Sequence, residues 1–432
     1  MSTTRSVAPA LTRRDLRTLA LSAFGGALEF YDFVVFVFFV TVIGKLFFPP
    51  EAPQWLAQLQ AFGIFAAGYL ARPLGGIVMA HFGDLFGRKR MFTLSILLMA
   101  LSTLGIGLAP TYATLGIAAP ILLLVLRVLQ GSAIGGEVPG AWVFVSEHVP
   151  ARRVGLACGT LTGGLTAGIL IGSLAAGAVQ RGFSPEDVAA FGWRLPFLAG
   201  GAFGLVAVYL RQWLEETPVF EEMRARKALA AEMPLKTVIR DHRGAIVVSL
   251  LLTWFLSAAI VTVILMTPTF LQTLHGFDAA TALAANAYAT LALSVGCVLA
   301  GAAADRFGGP RCLVVGAVAL AAATLALYGY GAADPALMAP LYTLAGLTVA
   351  VVAVVPKVLV EAFPPAVRFS GISFSYNLGY AIAGGLTPML VTLMLRLDAN
   401  APAHYVAVVS VVGAATAAFL AVRGRRAAAL AA

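Results

Sequence analysis

Glu29 and Asp32 are two carboxylates three residues apart in a stretch, residues 24–43, that carries no other charge. On a helix that spacing puts both on one face. Two carboxylates so close in a low dielectric resist double ionisation, which suits one of them, Asp32 by preference, to take a proton on one side and release it on the other. Arg127 is likewise the lone charge of residues 113–136, with Gln130 and Glu137 broadly on its face. Its guanidinium keeps its charge and presents a fork matched to carboxylate. It could bind an anionic substrate, or neutralise Glu29 or Asp32 until protonation frees it. The plainer alternative is a permanent pair with Glu137 or a first-helix acid. The phenol of Tyr31 could hydrogen-bond a ligand or simply pack. Proton coupling is therefore expected of Glu29, Asp32 and Glu137, and substrate contact of Arg127, Tyr31 and Gln130.

The elements that hold these residues are apolar helices. Of 432 residues 60% are hydrophobic and only 11% charged, with a mean hydropathy of +0.90. A soluble chain has about 25% charged residues, so there is too little charge here to cover a water-facing surface. That excludes a soluble enzyme, a disordered tail and a collagen-like fibre. The 44 glycines fit close helix–helix contact in lipid. Ionisable groups at membrane depth are costly and mark function by default.

With about 20 residues needed per crossing, twelve spans are expected: 18–43, 55–82, 91–109, 115–140, 154–180, 194–212, 245–271, 281–303, 312–330, 336–360, 370–395 and 403–422. They are too long and too uniformly apolar for barrel strands. The fold class expected is an all-α membrane protein. A cytoplasmic N-terminus (1–17) leads into a six-helix bundle (18–212). A cytoplasmic linker (213–243), a second six-helix bundle (244–422) and a cytoplasmic tail (423–432) follow.

The net charge of +9 orients the chain and does not point to nucleic acid. Arg13, Arg14, Arg88, Lys89, Arg90, Arg152, Arg153, Arg240, Arg306, Arg311, Arg368, Arg425 and Arg426 all fall on one side of the spans, and only Lys45, Arg181, Arg194 and Arg396 on the other. By the positive-inside rule both termini lie in the cytoplasm. The first span exceeds a signal-peptide core, contains Glu29 and Asp32, and stays in the mature protein. Cys158, Cys297 and Cys312 have unrelated spacings that suggest neither disulfides nor a metal site.

The halves repeat. Asp84-Leu85-Phe86-Gly87-Arg88-Lys89 follows the second span, and Asp305-Arg306-Phe307-Gly308 the eighth. Glu147-His148-Val149-Pro150 follows the fourth, and Glu361-Ala362-Phe363-Pro364 the tenth. The two offsets are nearly equal and each is about half the chain. A parallel six-helix repeat is a design expected of alternating-access carriers.

Asp84-x-x-Gly87-Arg88-Lys89 resembles the loop signature of the major facilitator superfamily. Four more stretches resemble its metabolite:proton symporter branch, which includes carriers of citrate, oxoglutarate, shikimate, and proline or betaine. They are Leu28–Phe33, Ala71-Arg72-Pro73-Leu74-Gly75-Gly76, Arg127-x-x-Gln130-Gly131 with Gly135-Gly136-Glu137, and Glu216-Thr217-Pro218-Val219-Phe220. The set runs in order from the first helix into the linker. Departures are Ala80 where the loop usually opens with Gly, and Gly309-Pro310 in place of the basic pair in the second loop. The weakly polar fifth helix, Gly159 to Thr166, argues against a tricarboxylate.

The resemblance implies a gating role for the Asp84 loop. Asp84 with Arg88, Asp305 with Arg306, Glu147 with Arg153 and Glu361 with Arg368 are expected to latch the halves at the cytoplasmic side. Arg72 and Pro73 read as structural, in the cytoplasmic third of the membrane. Lys357 and Glu361 suit a local i, i+4 ion pair. Tyr376, Asn377 and Tyr380 either line a cavity or glue helices; Trp254 and Asn286 are equally open. No histidine falls at mid-membrane, and no phosphate loop or hydrolase motif occurs. These features predict a non-enzymatic, cofactor-free proton symporter of a bacterial inner membrane. It would be a monomer in the lipid bilayer, importing a small organic anion such as a carboxylate metabolite, with no nucleic-acid partner. The alternatives are a proton symporter of a zwitterion such as proline or betaine, a drug exporter, a transceptor or a channel.

Overall fold

The computed structural model describes residues 13–86, 88–135, 137–211, 234–331, 334–364 and 367–431. Side chains 79–93, Glu137 and 424–431 lie outside the described set, and so do the expected roles of Asp84, Arg88 and Glu137. The chain is helical, with no strand among the described residues. We label the membrane helices α1 (Arg13–Phe38), α2 (Gln54–Phe86), α3 (Arg88–Leu108), α4 (Ala118–His148), α5 (Val154–Gly182), α6 (Arg194–Arg211), α7 (Arg243–His275), α8 (Ala279–Phe307), α9 (Gly309–Gly331), α10 (Pro335–Ala362), α11 (Arg368–Met394) and α12 (Ala401–Ala431). Of the expected linker only Pro234–Asp241 is described before α7, and it is a short helix.

Among the described residues ten helices are long and apolar enough to cross a bilayer. The first makes eleven once its 60° bend at Phe39 is included, and Leu94–Leu108 of α3 is a shorter apolar helix. The outer surface is as apolar as the core: Leu74, Val315 and Val411 are 69%, 71% and 68% exposed. Such a surface suits lipid, in which helices satisfy their own backbone hydrogen bonds. Between membrane helices the usual capping rules return. Asp278 accepts a hydrogen bond from the Thr281 amide at the start of α8. Its carboxyl is held below the usual range by hydrogen bonds from the Thr281 side chain and backbone.

Small residues set how closely the helices approach. Where α2 crosses α4, a Cβ on Gly131 would overlap the Gly68 carbonyl, and one on Gly135 would overlap the Arg72 carbonyl. This backbone contact sets Gly68 of α2 against Arg127 of α4, and Arg72 of α2 against Gly135 of α4. Between the halves, a Cβ on Gly155 would lie 2.5 Å from the Gly301 oxygen, and one on Gly159 2.5 Å from the Cys297 oxygen. Thus α5 and α8 run together as a seam of small residues, closed further by Thr166 with Ser294 (2.9 Å) and Ser173 with the Leu283 carbonyl (3.1 Å). On the opposite side α2 meets α11, where the Tyr69 and Tyr380 rings stack at 5.1 Å.

Gly131→Ala should cost roughly 1–3 kcal/mol by overpacking a backbone–backbone contact. The check is the melting temperature of the purified protein, followed by tryptophan fluorescence; an unchanged value would remove the crossing from the list of constraints.

Candidate functional site

Arg127 is wholly buried inside the first half. Its Nη1 donates to the Phe33 carbonyl (3.1 Å) and to Gln130 Oε1. The guanidinium lies 4.3, 4.7 and 5.0 Å from the ring centroids of Phe33, Phe36 and Phe65, a cation held largely by aromatic faces. Nε and Nη2 have no hydrogen-bond partner. The alternative of a permanent pair with Asp32 is not seen in this conformation: Asp32 Oδ1 has no partner, and Gln130 and a carbonyl of α1 take only Nη1. Gln130 also donates through Nε2 to the Asp32 carbonyl (2.9 Å) and Thr103 Oγ1 (2.8 Å). It thus ties α1, α3 and α4 together at one point.

Asp32 and Tyr31 turn the other way, onto α6. The Tyr31 phenol donates to the Pro196 carbonyl (2.8 Å), so its role as a ligand contact is not seen here. Asp32 is 5% exposed, and its Oδ1 has no partner. A Cβ on Gly200 would overlap Asp32 Oδ1, and one on Gly204 would lie 3.6 Å from Oδ2. Glycine at these two positions of α6 makes room for the carboxyl group. Glu29 instead lies within electrostatic reach of Tyr376 on α11. Asp32 thus serves the α1–α6 contact, whereas Glu29 acts on a group of the second half.

Arg72, which the sequence suggested was structural and in the cytoplasmic third of the membrane, stands among rings of α2 and α11. It is 1% exposed. Its Cζ lies 5.6 Å from the Tyr69 centroid, 5.8 Å from Tyr376 and 4.9 Å from Tyr380. Two of these rings come from α11, where a π-helical turn opens at Tyr380 (Tyr380–Gly384); such turns recur at functional sites. Trp142 of α4 meets the Tyr376 ring edge-on at 4.8 Å. Neighbouring Asn377 donates Nδ2 to the Gly135 carbonyl, so it joins α11 to α4.

The charged groups at one end pair differently from the sequence expectation. Asp305 accepts from the Gly155 amide (2.7 Å) and the Leu156 amide (2.8 Å) at the N-terminus of α5, where unsatisfied donors favour an anion. Its cationic partner is Lys357 (3.0 Å), while Arg306 lies over Phe307 at 5.2 Å. Lys357 also makes the expected pair with Glu361 (3.0 Å). Glu147 pairs with Arg368 across the halves (3.2 Å), replacing the expected pairs Glu147 with Arg153 and Glu361 with Arg368. Arg368 is oriented by the Val360 and Phe363 carbonyls at the end of α10. Packing brings more distant partners closer than pairing within a loop would: α8 on α10 for Asp305 and Lys357, and one half on the other for Glu147 and Arg368.

Trp254 bonds the Tyr405 hydroxyl (3.0 Å), and Asn286 bonds the Ile264 carbonyl and the Tyr342 hydroxyl (both 2.6 Å). Both serve as interhelical glue. The three cysteines are free, and no group that could hold a metal occurs among the described residues. Sequence reading missed Tyr69 and Trp142. The spacing Tyr69-x-x-Arg72 puts both on one face of α2 and was a readable signal; the position of Trp142 depends on the tertiary contact with Tyr376.

The family model of the Major Facilitator Superfamily matches residues 22–388. A putative proline/betaine transporter of Staphylococcus aureus (strain COL) is 33% identical over 413 residues, covering 93% of this chain and 87% of that protein. The proline/betaine transporter of Salmonella typhimurium is 31% identical, with 93% and 82% covered. The glycine betaine/proline/ectoine/pipecolic acid transporter OusA of Dickeya dadantii is 31% identical, with 94% and 83% covered. Among solved structures, the proton:xylose symporter XylE bound to 6-bromo-6-deoxy-D-glucose superposes with a TM-score of 0.73 at 18% identity, over 94% of this chain and 95% of that one. A partially occluded inward-open conformation of the E. coli xylose transporter gives 0.72 at 18% identity, over 95% and 97%. Two six-helix halves, the match across most of the length and relatives that are transporters, not enzymes, lead to one assignment: this multi-pass membrane protein belongs to the Major Facilitator Superfamily.

Proposed function

We propose that the chain is a proton-coupled symporter importing a small zwitterion, with proline and betaine as reference solutes, by alternating access. The observation that carries the substrate class is its end-to-end similarity to relatives named for proline and betaine. It favours the zwitterion over the organic acid to which Arg127 alone points. Both ligands bring a carboxylate, and only the zwitterion brings a cation as well.

In this reading Asp32 takes the proton. A buried carboxyl group with an unpartnered oxygen is far costlier charged than neutral. Gln130 touches both the Asp32 main chain and Arg127, so it is suited to relay the change from α1 to α4. The unpartnered Nε and Nη2 of Arg127 would receive an ionised carboxylate, either that of Asp32 or that of the solute. Glu29 and Glu137 remain the secondary acids of this half. The charge bias puts both termini in the cytoplasm of a bacterium, with a monomer spanning the inner membrane. Asp305 of α8, docked on the start of α5, and Glu147 with Arg368 then close the cytoplasmic end, with Asp84 and Arg88 as counterparts in the first half.

The test is uptake by proteoliposomes under an inward proton gradient. Radiolabelled proline or betaine should accumulate above its external level, and a protonophore should abolish the accumulation. Uptake of a dicarboxylate alone, or solute entry that ignores the gradient, would overturn the proposal.

A further inference from the structure

Arg72 is a cation held by ring faces where a buried arginine ordinarily takes a carboxylate or carbonyls. Three tyrosines surround its guanidinium at 4.9–5.8 Å, and Nε and Nη2 donate to nothing. Trp142 and Tyr376 meet edge-on, as do Tyr376 and Tyr380 (5.2 Å), while Tyr69 and Tyr380 stack. Each ring is therefore fixed by another. Even with the Tyr376 phenol in hydrogen-bond reach, two of the three guanidinium nitrogens go unpartnered in such a place. A quaternary ammonium has no N–H to forfeit and gains most from aromatic faces. Tyr69 belongs to α2, whereas Tyr376 and Tyr380 belong to α11, so the box is complete only when the halves meet. Glu29, in electrostatic reach of Tyr376, adds an acid that favours a cation there.

We propose that Tyr69, Tyr376 and Tyr380 form the subsite for the substrate's onium group, and that Arg72 fills it as a resident cation until the substrate arrives. The incoming onium displaces the guanidinium from the rings, and the released fork takes the substrate carboxylate. The assignment rests on the zwitterion reading above and adds to it where each end of the zwitterion binds.

Equilibrium binding to the purified full-length protein tests it. Wild type should bind betaine more tightly than dimethylglycine, and dimethylglycine more tightly than sarcosine. Tyr380→Phe should keep that order, and Tyr380→Leu should lose at least about tenfold in betaine affinity. Arg72→Met should have effects of opposite sign: weaker betaine binding, because the carboxylate loses its partner, and tighter tetramethylammonium binding, because the competing cation is gone. A purely structural Arg72 would not strengthen any ligand. If wild type binds neither betaine nor proline, the zwitterion reading itself fails. If it binds betaine but Tyr380→Leu keeps full affinity, or Arg72→Met leaves tetramethylammonium binding unchanged or weaker, the subsite assignment alone is overturned.

Discussion

Asp32→Asn should turn the transporter from a concentrator into an equilibrator. The amide matches the carboxyl in size and fits the space beside Gly200 and Gly204, so folding and solute binding should survive. What it removes is the exchangeable proton. For each coupled proton, a gradient of one pH unit supports up to about tenfold accumulation. In the variant that ratio should fall to about one, while exchange of labelled for unlabelled solute, which needs no net proton movement, continues. Full proton-driven accumulation by Asp32→Asn would transfer the role to Glu29 or Glu137. Gly200→Ala offers a complementary perturbation, because its new methyl group would overlap Asp32 Oδ1.

The second large effect concerns the contact between α8 and α5. Asp305→Ala would strip two amides at the start of α5 of their acceptor and leave Lys357 with Glu361 alone. Lys357 and Asp305 are only 9% and 10% exposed, so water restores little of what is lost, and breaking such a pair is costly. Even about 1.4 kcal/mol would shift the balance tenfold toward the state open at this end. The chain supplies its own reporter. Cys158 and Cys297 are fully buried on the α5–α8 seam, and Cys158 lies within electrostatic reach of Lys357 and Asp305. In a Cys312→Ser background, alkylation of Cys158 should accelerate about tenfold or more in Asp305→Ala, and transport should fall. An unchanged alkylation rate would mean that Asp305 does not hold this end closed.

Particular residues show how much of this was legible beforehand. Twelve spans and two halves follow from hydropathy and repeated landmarks, because lipid leaves so few alternatives. Contacts within one helix were also accessible: Arg127 with Gln130 and Lys357 with Glu361 obey helical spacing. Contacts between helices were not. Asp32 and Glu29 share a spacing but meet different neighbours, because α6 lies on one side of α1 and the second half on the other. Glu147 finds Arg368 only once the halves dock, and Asp305 finds Lys357 only once α8 packs against α10. The surroundings of Arg72 were hidden for the same reason, since two of the three rings facing it are on α11. Its motif identified the residue without identifying its partners. The proposed substrate class moves from an organic acid to a zwitterion on the names of the relatives, because a carboxylate site alone does not distinguish the two.

Proton coupling of zwitterion entry can be tested most directly without any imposed gradient. Proteoliposomes loaded with a pH-sensitive dye would receive betaine or proline from outside while lumenal pH is followed. The account predicts that the lumen acidifies as solute enters, that a protonophore dissipates the change, and that Asp32→Asn shows none. Solute entry at a constant lumenal pH would contradict it.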